Sequence, residues 1–237
     1  MTVPVLMLDS KKKAALDAGF YETFTGLPER YFSAPGRTEI SGNHTDHQGG
    51  CVLAGAVNLD TLAAVRLNGT NTIRVHSKGY PLCEVCLDEL EPKKSEVNTT
   101  PALIRGVAAR FSQMGCKLEG FDAYCESTVL PGSGLSSSAS FEVLIGTIIN
   151  CLFFGKKLSA IEIASNPAYG YIKQKTRRLC LQSPSFFSSA ARMGTGTIRA
   201  QRMPGDTVRA GAAIFTRSGC GPVRISFWQR YSCAGYP

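Results

Sequence analysis

The sequence predicts an α+β fold in which a mixed sheet is packed by helices, and three observations carry that prediction. Runs rich in β-branched and aliphatic residues, such as Leu62–Leu67 and Thr72–His76, recur between Gly and Asn punctuation. A helical pattern with Pro in its first turn interrupts these strands, and a Gly/Ser loop later runs directly into a second, strongly apolar helix. Strand runs broken by only a few helices suit a layered α+β architecture better than a parallel doubly wound sheet.

Lys11–Gly26 holds helix-compatible residues ending in Gly, and Tyr31–Ser41 alternates towards a strand beginning after Pro28. Asn68-Gly69-Thr70-Asn71 lies between two strand runs and reads as a hairpin turn. Leu82–Leu87 adds a third strand. From Pro101, apolar residues Leu103, Val107, Ala108, Phe111 and Met114 recur at spacings of three or four until Gly115, the pattern of an amphipathic helix. Leu118–Val129 is strand-like again. Phe141, Leu144, Ile145, Ile148, Ile149 and Leu152 form the next helix, and Leu158–Ser165 a short one.

Beyond Ser165 the periodicity fades into Arg, Gly, Ser and Pro with scattered aromatics. Such a stretch buries too little apolar surface to offset its ordering entropy, so residues 166–237 read as a basic, poorly ordered tail beside an N-terminal domain of residues 1–165. The same abrupt shift is what a change of reading frame or a truncated gene produces. The charge shifts at the same place. Residues 1–164 carry 15 Lys and Arg against 17 Asp and Glu, whereas residues 165–237 carry 11 against the single Asp206, so the net charge of +8 belongs to the tail. A basic tail without a recognisable nucleic-acid-binding pattern argues against a nucleic-acid partner.

The longest apolar run, Ile145–Phe154, is too short to span a bilayer, and Met1–Leu8 lacks the basic start and small-residue cleavage site of a signal peptide. A cytoplasmic location without membrane contact is expected. Nine cysteines, an odd count at irregular spacing, fit reduced thiols rather than a disulfide framework. Cys83 and Cys86 form a lone C-x-x-C without the second ligand pair of a structural zinc site.

Two stretches carry chemistry. In Pro131-Gly132-Ser133-Gly134-Leu135-Ser136-Ser137-Ser138-Ala139-Ser140, glycines let backbone N–H groups converge, a helix N-terminus adds positive partial charge, and serine hydroxyls can bond phosphate oxygens or Mg²⁺. The loop lacks the Lys of a Walker A motif and the third Gly of a dinucleotide fingerprint. A Ser-rich N-cap on an ordinary buried helix is the other reading. The second stretch runs from Ala34-Pro35-Gly36-Arg37 through Asn43-His44-Thr45-Asp46-His47 to Gly49-Gly50. Its Asp46 can accept hydrogen bonds from sugar hydroxyls, Asn43 can donate and accept, and Arg37 can stabilise a transferring phosphoryl group. Metal ligation by His44, Asp46 and His47, or a merely solvated loop, are the alternatives.

Taken together and in this order, Pro-Gly-Arg with Gly-x-His-Thr-Asp-x-x-Gly-Gly resembles the galactokinase signature, and PGSGLSSSAS resembles the phosphate loop of the GHMP sugar kinases. The resemblance covers about residues 10–165, and its first motif favours galactokinase over mevalonate or homoserine kinases. It implies a GHMP-kinase N-terminal domain whose C-terminal domain is absent or replaced, and a reaction of ATP with galactose to give galactose 1-phosphate and ADP. It further implies that Arg37 stabilises the transition state and that Asn43, His44, Thr45 and Asp46 contact galactose. Gly132, Ser133, Gly134, Leu135, Ser136, Ser137 and Ser138 would hold the ATP phosphates, with Ser138 on Mg²⁺. Family members commonly carry Glu in place of Asn43. Their magnesium-binding Glu, catalytic Asp and third glycine-rich motif have no counterpart after Ser165, where Asp206 sits in a turn-like Pro-Gly-Asp-Thr. Little or no turnover is therefore expected of this chain, which as a catalytically silent sugar- and ATP-binding protein is the alternative. A cleft stripped of one wall would expose apolar surface and favour association.

Overall fold

In the computed structural model, which describes residues 8–41, 52–165, 212–215 and 234–235, one mixed sheet forms the middle layer and helices cover both of its faces. Strand β1 (Arg30–Ser41) lies antiparallel to the long β2 (Val52–Leu67), and β2 is antiparallel to β5 (Phe121–Ser127). The parallel neighbour of β5 is β3 (Thr72–Ser77), whose other edge pairs antiparallel with β4 (Cys83–Cys86). Two short strands from the basic segment attach to this frame. β6 (Ala212–Phe215) pairs with the start of β2, and β7 (Ala234–Gly235) pairs with Arg30 and Tyr31 of β1.

The central strands alternate between two apolar layers. Phe32, Ala34, Ala63, Val65, Phe121 and Ala123 face one side, where α2 (Thr100–Gln113) and α3 (Ser137–Leu152) cover them with Ile104, Val107, Phe111, Leu144, Ile145, Ile148 and Ile149. Leu62, Ala64 and Tyr124 face the other, where α1 (Ser10–Phe24) lays down Leu16, Phe20 and Phe24. Each large aliphatic or aromatic side chain so buried contributes roughly 1.5–3 kcal/mol. Burial on both faces explains why Leu62–Val65 reads as a continuous apolar run rather than an alternating one.

Helix ends follow local chemistry. Asp9 caps α1, its carboxylate accepting from the Lys11 N–H at 3.2 Å, and Thr25 and Gly26 end the helix with positive φ. Pro101 sits in the first turn of α2, where no intrahelical N–H is needed. Helix α4 (Ala160–Ser165) closes the described N-terminal region and packs through Ile163.

The Asn68–Asn71 turn is not a hairpin. It joins β2 to β3, but β5 inserts between them and pairs with both. The reason lies at Gly120, whose N–H donates to Thr70 O at 2.8 Å and whose carbonyl accepts from the Asn68 N–H at 3.3 Å. A Cβ there would lie 2.5 Å from Asn68 Oδ1, Thr70 O and Thr72 O, so only glycine lets β5 start inside the mouth of the turn. Fully buried Asp122 then holds the three strands together. It accepts from Arg74 Nε and Nη2 at 2.7 and 2.8 Å and from Asn68 Nδ2 at 2.8 Å, with Arg66 Nη2 at 3.5 Å. The same guanidiniums of Arg66 and Arg74 lie over the rings of Phe20 and Phe24, tying α1 to this cluster.

Candidate functional site

Strands β1 and β5 both run antiparallel to β2, so they leave the sheet at the same end, and the two sequence motifs leave with them. Ala34 and Ser127 are each the register partner of Thr61, one on either side, which puts the three in a single row across the sheet. One step further along, the Thr128 N–H donates to Asp60 O at 3.0 Å, and the chain turns through buried Val129 and exposed Leu130 into Pro131-Gly132-Ser133-Gly134.

The loop is built on left-handed backbone. Gly132 and Gly134 both have φ of 75°, with open space where a Cβ would be, and Ser136 adopts φ 58°, ψ 55°, an uncommon conformation for a residue with a side chain. The Ser133 hydroxyl donates to Leu130 O at 2.6 Å, closing the tip. Ser136 precedes the first turn of α3, yet its side chain makes no capping hydrogen bond, and no acidic residue occupies that turn. This removes the ordinary Ser N-cap as the account of the motif: the first N–H groups of α3 are not met by the Ser136 side chain. Ser133 and Ser138 are exposed, and Ser136 and Ser137 partly so.

Arg37 meets this loop through its backbone. Its N–H donates to Leu135 O at 3.1 Å, and the preceding Gly36 lies so close that a Cβ would be 3.0 and 3.1 Å from the two methyls of Val129 and 3.2 Å from Leu135 O. A register irregularity in the β1/β2 ladder between Pro35 and Arg37 turns the strand at this point. Asn43, His44, Thr45 and Asp46 lie outside the described residues. The stretch that holds them continues from the far end of β1, where Ser41 pairs with Leu53.

Sequence reasoning missed two groups near the loop. The hydroxyls of Thr61, Ser127 and Ser140 connect beneath it, and nothing in a run of serines marks Ser140 as the one that turns inward. Glu142 lies four residues after Ser138, on the same helix face, half-buried, and the desolvation pushes its carboxyl up to about 7. Among the described residues, no group of three or more His, Cys, Asp or Glu side chains is placed to hold a metal ion. Cys83 packs against the main core while Cys86 points its thiol towards Asp88, 3.8 Å away, so the C-x-x-C pair does not converge. A cavity of about 570 Å³ at the opposite end of β1, lined by Lys13, Asp17, Arg30 and Tyr31, is remote from both motifs. Its Lys13 ammonium and Tyr31 hydroxyl already bond Asp17.

Two family models match along the chain. The galactokinase galactose-binding signature matches residues 18–67, and the N-terminal domain of the GHMP kinases matches residues 102–173, running past Ser165. Galactokinase of Lacticaseibacillus casei (strain BL23) is 38% identical over 141 residues, covering 58% of this chain and 36% of its own length. Galactokinase of Lactococcus lactis subsp. lactis (strain IL1403) is 31% identical over 154 residues, covering 63% and 38%. The crystal structure of Lactococcus lactis galactokinase complexed with galactose superposes with a TM-score of 0.63 at 27% identity, over 77% of this chain and 46% of that one. The matched part of the chain thus spans less than half the length of these relatives. No helix among the described residues is long and apolar enough to cross a membrane. Through the region these matches cover, the chain is similar to the galactokinases of the GHMP kinase superfamily.

Proposed function

We propose that the chain carries the substrate-binding half of a galactokinase, the reaction of the whole enzyme being transfer of the γ-phosphoryl group of ATP to galactose. The observation that supports this best is the hydrogen bond from the Arg37 N–H to Leu135 O, which sets the Pro-Gly-Arg strand against the Gly/Ser loop across almost a hundred residues of sequence. In this reading the N–H groups of Gly132–Ser138 and the start of α3 hold the ATP phosphates, and Arg37 stabilises charge on the transferring group. Asn43, His44, Thr45 and Asp46 contact the sugar.

Mg²⁺ would accompany ATP and offset charge on its phosphates. The exposed Ser138 hydroxyl, at the start of α3, fits as this chain's oxygen ligand, phosphate and water supplying the others. Residues 1–165 form the binding domain, and residues 166–237 a basic segment, two short strands of which pair with its sheet. A second reading has its own observation: after Ser165 the sequence offers Asp206 alone as an acid, which leaves no pair of carboxylates for metal binding and for orienting the acceptor hydroxyl. On that reading the chain binds sugar and ATP without turnover.

Calorimetric titration with galactose and with Mg-ATP, beside a coupled assay of ADP release, separates the two. Binding with little or no sugar-dependent ADP release is expected, and turnover at ordinary enzyme rates of about 1–10³ s⁻¹ would overturn that expectation. Gly134→Val should abolish ATP binding while leaving galactose binding intact. Asp46→Ala should weaken galactose by about 1–3 kcal/mol, the cost of leaving polar partners unsatisfied. A folded Gly134→Val variant that binds ATP like the parent removes the loop from the site, and unchanged galactose affinity removes Asp46.

A further inference from the structure

We infer that Thr61, Ser127 and Ser140 form an ordered chain of hydroxyls that positions the phosphate loop, an assignment that rests on the reading of Gly132–Ser138 as the nucleotide site. Ser140 and Thr61 are buried, at 4% and 3% exposure, so neither can satisfy its hydroxyl with solvent. The Ser140 Oγ lies 2.9 Å from Ala34 O and 3.1 Å from Thr61 Oγ1, and Thr61 Oγ1 lies 2.8 Å from Ser127 Oγ. Ser127 Oγ in turn accepts from the Val129 N–H at 3.1 Å.

The direction of the chain follows from proton count. Each hydroxyl has one proton, and a carbonyl can only accept. Ser140 is the donor at its end of the line, its single proton shared between Ala34 O and Thr61 Oγ1, so Thr61 accepts from Ser140. Thr61, accepting from Ser140, donates to Ser127, whose oxygen also receives the Val129 N–H and whose own proton goes to Val129 O at 3.3 Å. One unbroken line runs from the stem of the loop, across the row Ser127–Thr61–Ala34, to the carbonyl two residues before Gly36. Bonds aligned in this way polarise one another, and the line pins three things at once: the first turn of α3, the strand that carries Arg37, and the point where β5 becomes the loop. The left-handed backbone at Gly132, Gly134 and Ser136 follows directly from this anchored stem.

Thr61 is the centre, and Thr61→Val replaces it by a side chain of the same shape that can neither donate nor accept. In the full chain, Mg-ATP affinity measured by calorimetry should fall about five- to tenfold in Thr61→Val. Thr61→Ser, which loses a methyl but keeps the hydroxyl, should bind within about twofold of the parent, an order that a purely packing role would reverse. Ser140→Ala should weaken binding similarly, and the double variant Thr61→Val/Ser140→Ala should be no worse than either single change, because both break the same line. Parent-like ATP binding by a folded Thr61→Val variant overturns the inference, as does a Thr61→Ser variant as weak as Thr61→Val. Gly134→Val keeps the two ideas apart. If it abolishes ATP binding while Thr61→Val does not, the hydroxyl line has no positioning role and the loop assignment stands; if Gly134→Val binds ATP normally, the loop assignment falls and the inference with it.

Discussion

Gly36→Ala tests how closely the two motifs depend on each other. The added Cβ would sit 3.0 and 3.1 Å from the Val129 Cγ atoms and 3.2 Å from Leu135 O, all inside ordinary van der Waals separation. Neither neighbour can give way cheaply. Val129 is buried at 1% exposure and stiff about χ1, and because both of its methyls face Gly36, rotation leaves the clash in place. Leu135 O is backbone, fixed as acceptor of the Arg37 N–H. The strain must therefore push β1 and the loop apart by some tenths of an ångström. Overpacking of this kind costs about 1–3 kcal/mol, and the reduced freedom of the unfolded chain returns about 0.4–1 kcal/mol, for a net loss of about 1–2 kcal/mol. Urea unfolding monitored by circular dichroism would report this as a lowered midpoint at unchanged slope. ATP titration should show weaker binding in the same variant, because the loop has moved. A Gly36→Ala protein with the parent's unfolding midpoint and the parent's ATP affinity would refute the argument that this contact sets the loop.

Asp122→Ala removes the carboxylate shared by Arg74, Arg66 and Asn68, and should lower unfolding stability by about 3 kcal/mol, the lower part of the range for a broken buried pair, since both guanidiniums keep some access to water; an unchanged urea midpoint would show that the cluster contributes nothing. Glu142 makes stability fall with pH. Its folded carboxyl is raised from 4.5 to about 7 by burial, so the unfolded chain ionises first and stability is lost as pH rises from about 4.5 to about 7, then levels off. The loss should be about 2 kcal/mol once its partial exposure is allowed for. Glu142→Gln should flatten that slope and gain stability at pH 8, and a slope that persists in the variant assigns it to another group.

Periodicity revealed the covering helices because each packs one repeating face on the sheet, while the central strands, covered on both faces, read as continuous apolar runs. Val107, Phe111 and Met114 recur at helical spacing because that face of α2 packs on the main core. The β2–β3 connection misled for the opposite reason. Asn68-Gly69-Thr70-Asn71 has the local chemistry of a hairpin, and what overrides it is Gly120, some fifty residues on, whose lack of a side chain admits β5 between the strands. Ser140 stayed hidden because a hydroxyl inside Ser-Ser-Ser-Ala-Ser carries no mark of the direction it faces. The glycines at 132 and 134 were legible, since their position in a loop before an apolar helix already implied the positive φ they adopt. The residues at 43–46 were legible as chemistry only, and they lie outside the described residues.

The loop and the Pro-Gly-Arg strand meet because of register rather than because of attraction between the motifs. β2 is long enough to pair with β1 on one edge and β5 on the other, and Thr61 is the residue that faces both Ala34 and Ser127. Sliding β5 by one residue would turn Ser127 to the face of α1 and swing Val129 away from Gly36. The alignment is held from outside the site: Gly120 sets where β5 begins, Asp122 locks it to β3 and to Arg66 of β2, and from Phe121 to Ser127 the strand then has a fixed length. A packing detail in the turn after β2 thereby fixes where the Gly132–Ser138 loop begins at the other end of the strand. On this account a change at Gly120 or Asp122, with no contact to any ligand, acts on nucleotide affinity through strand register, whereas a change at Thr61 acts on it with the register intact.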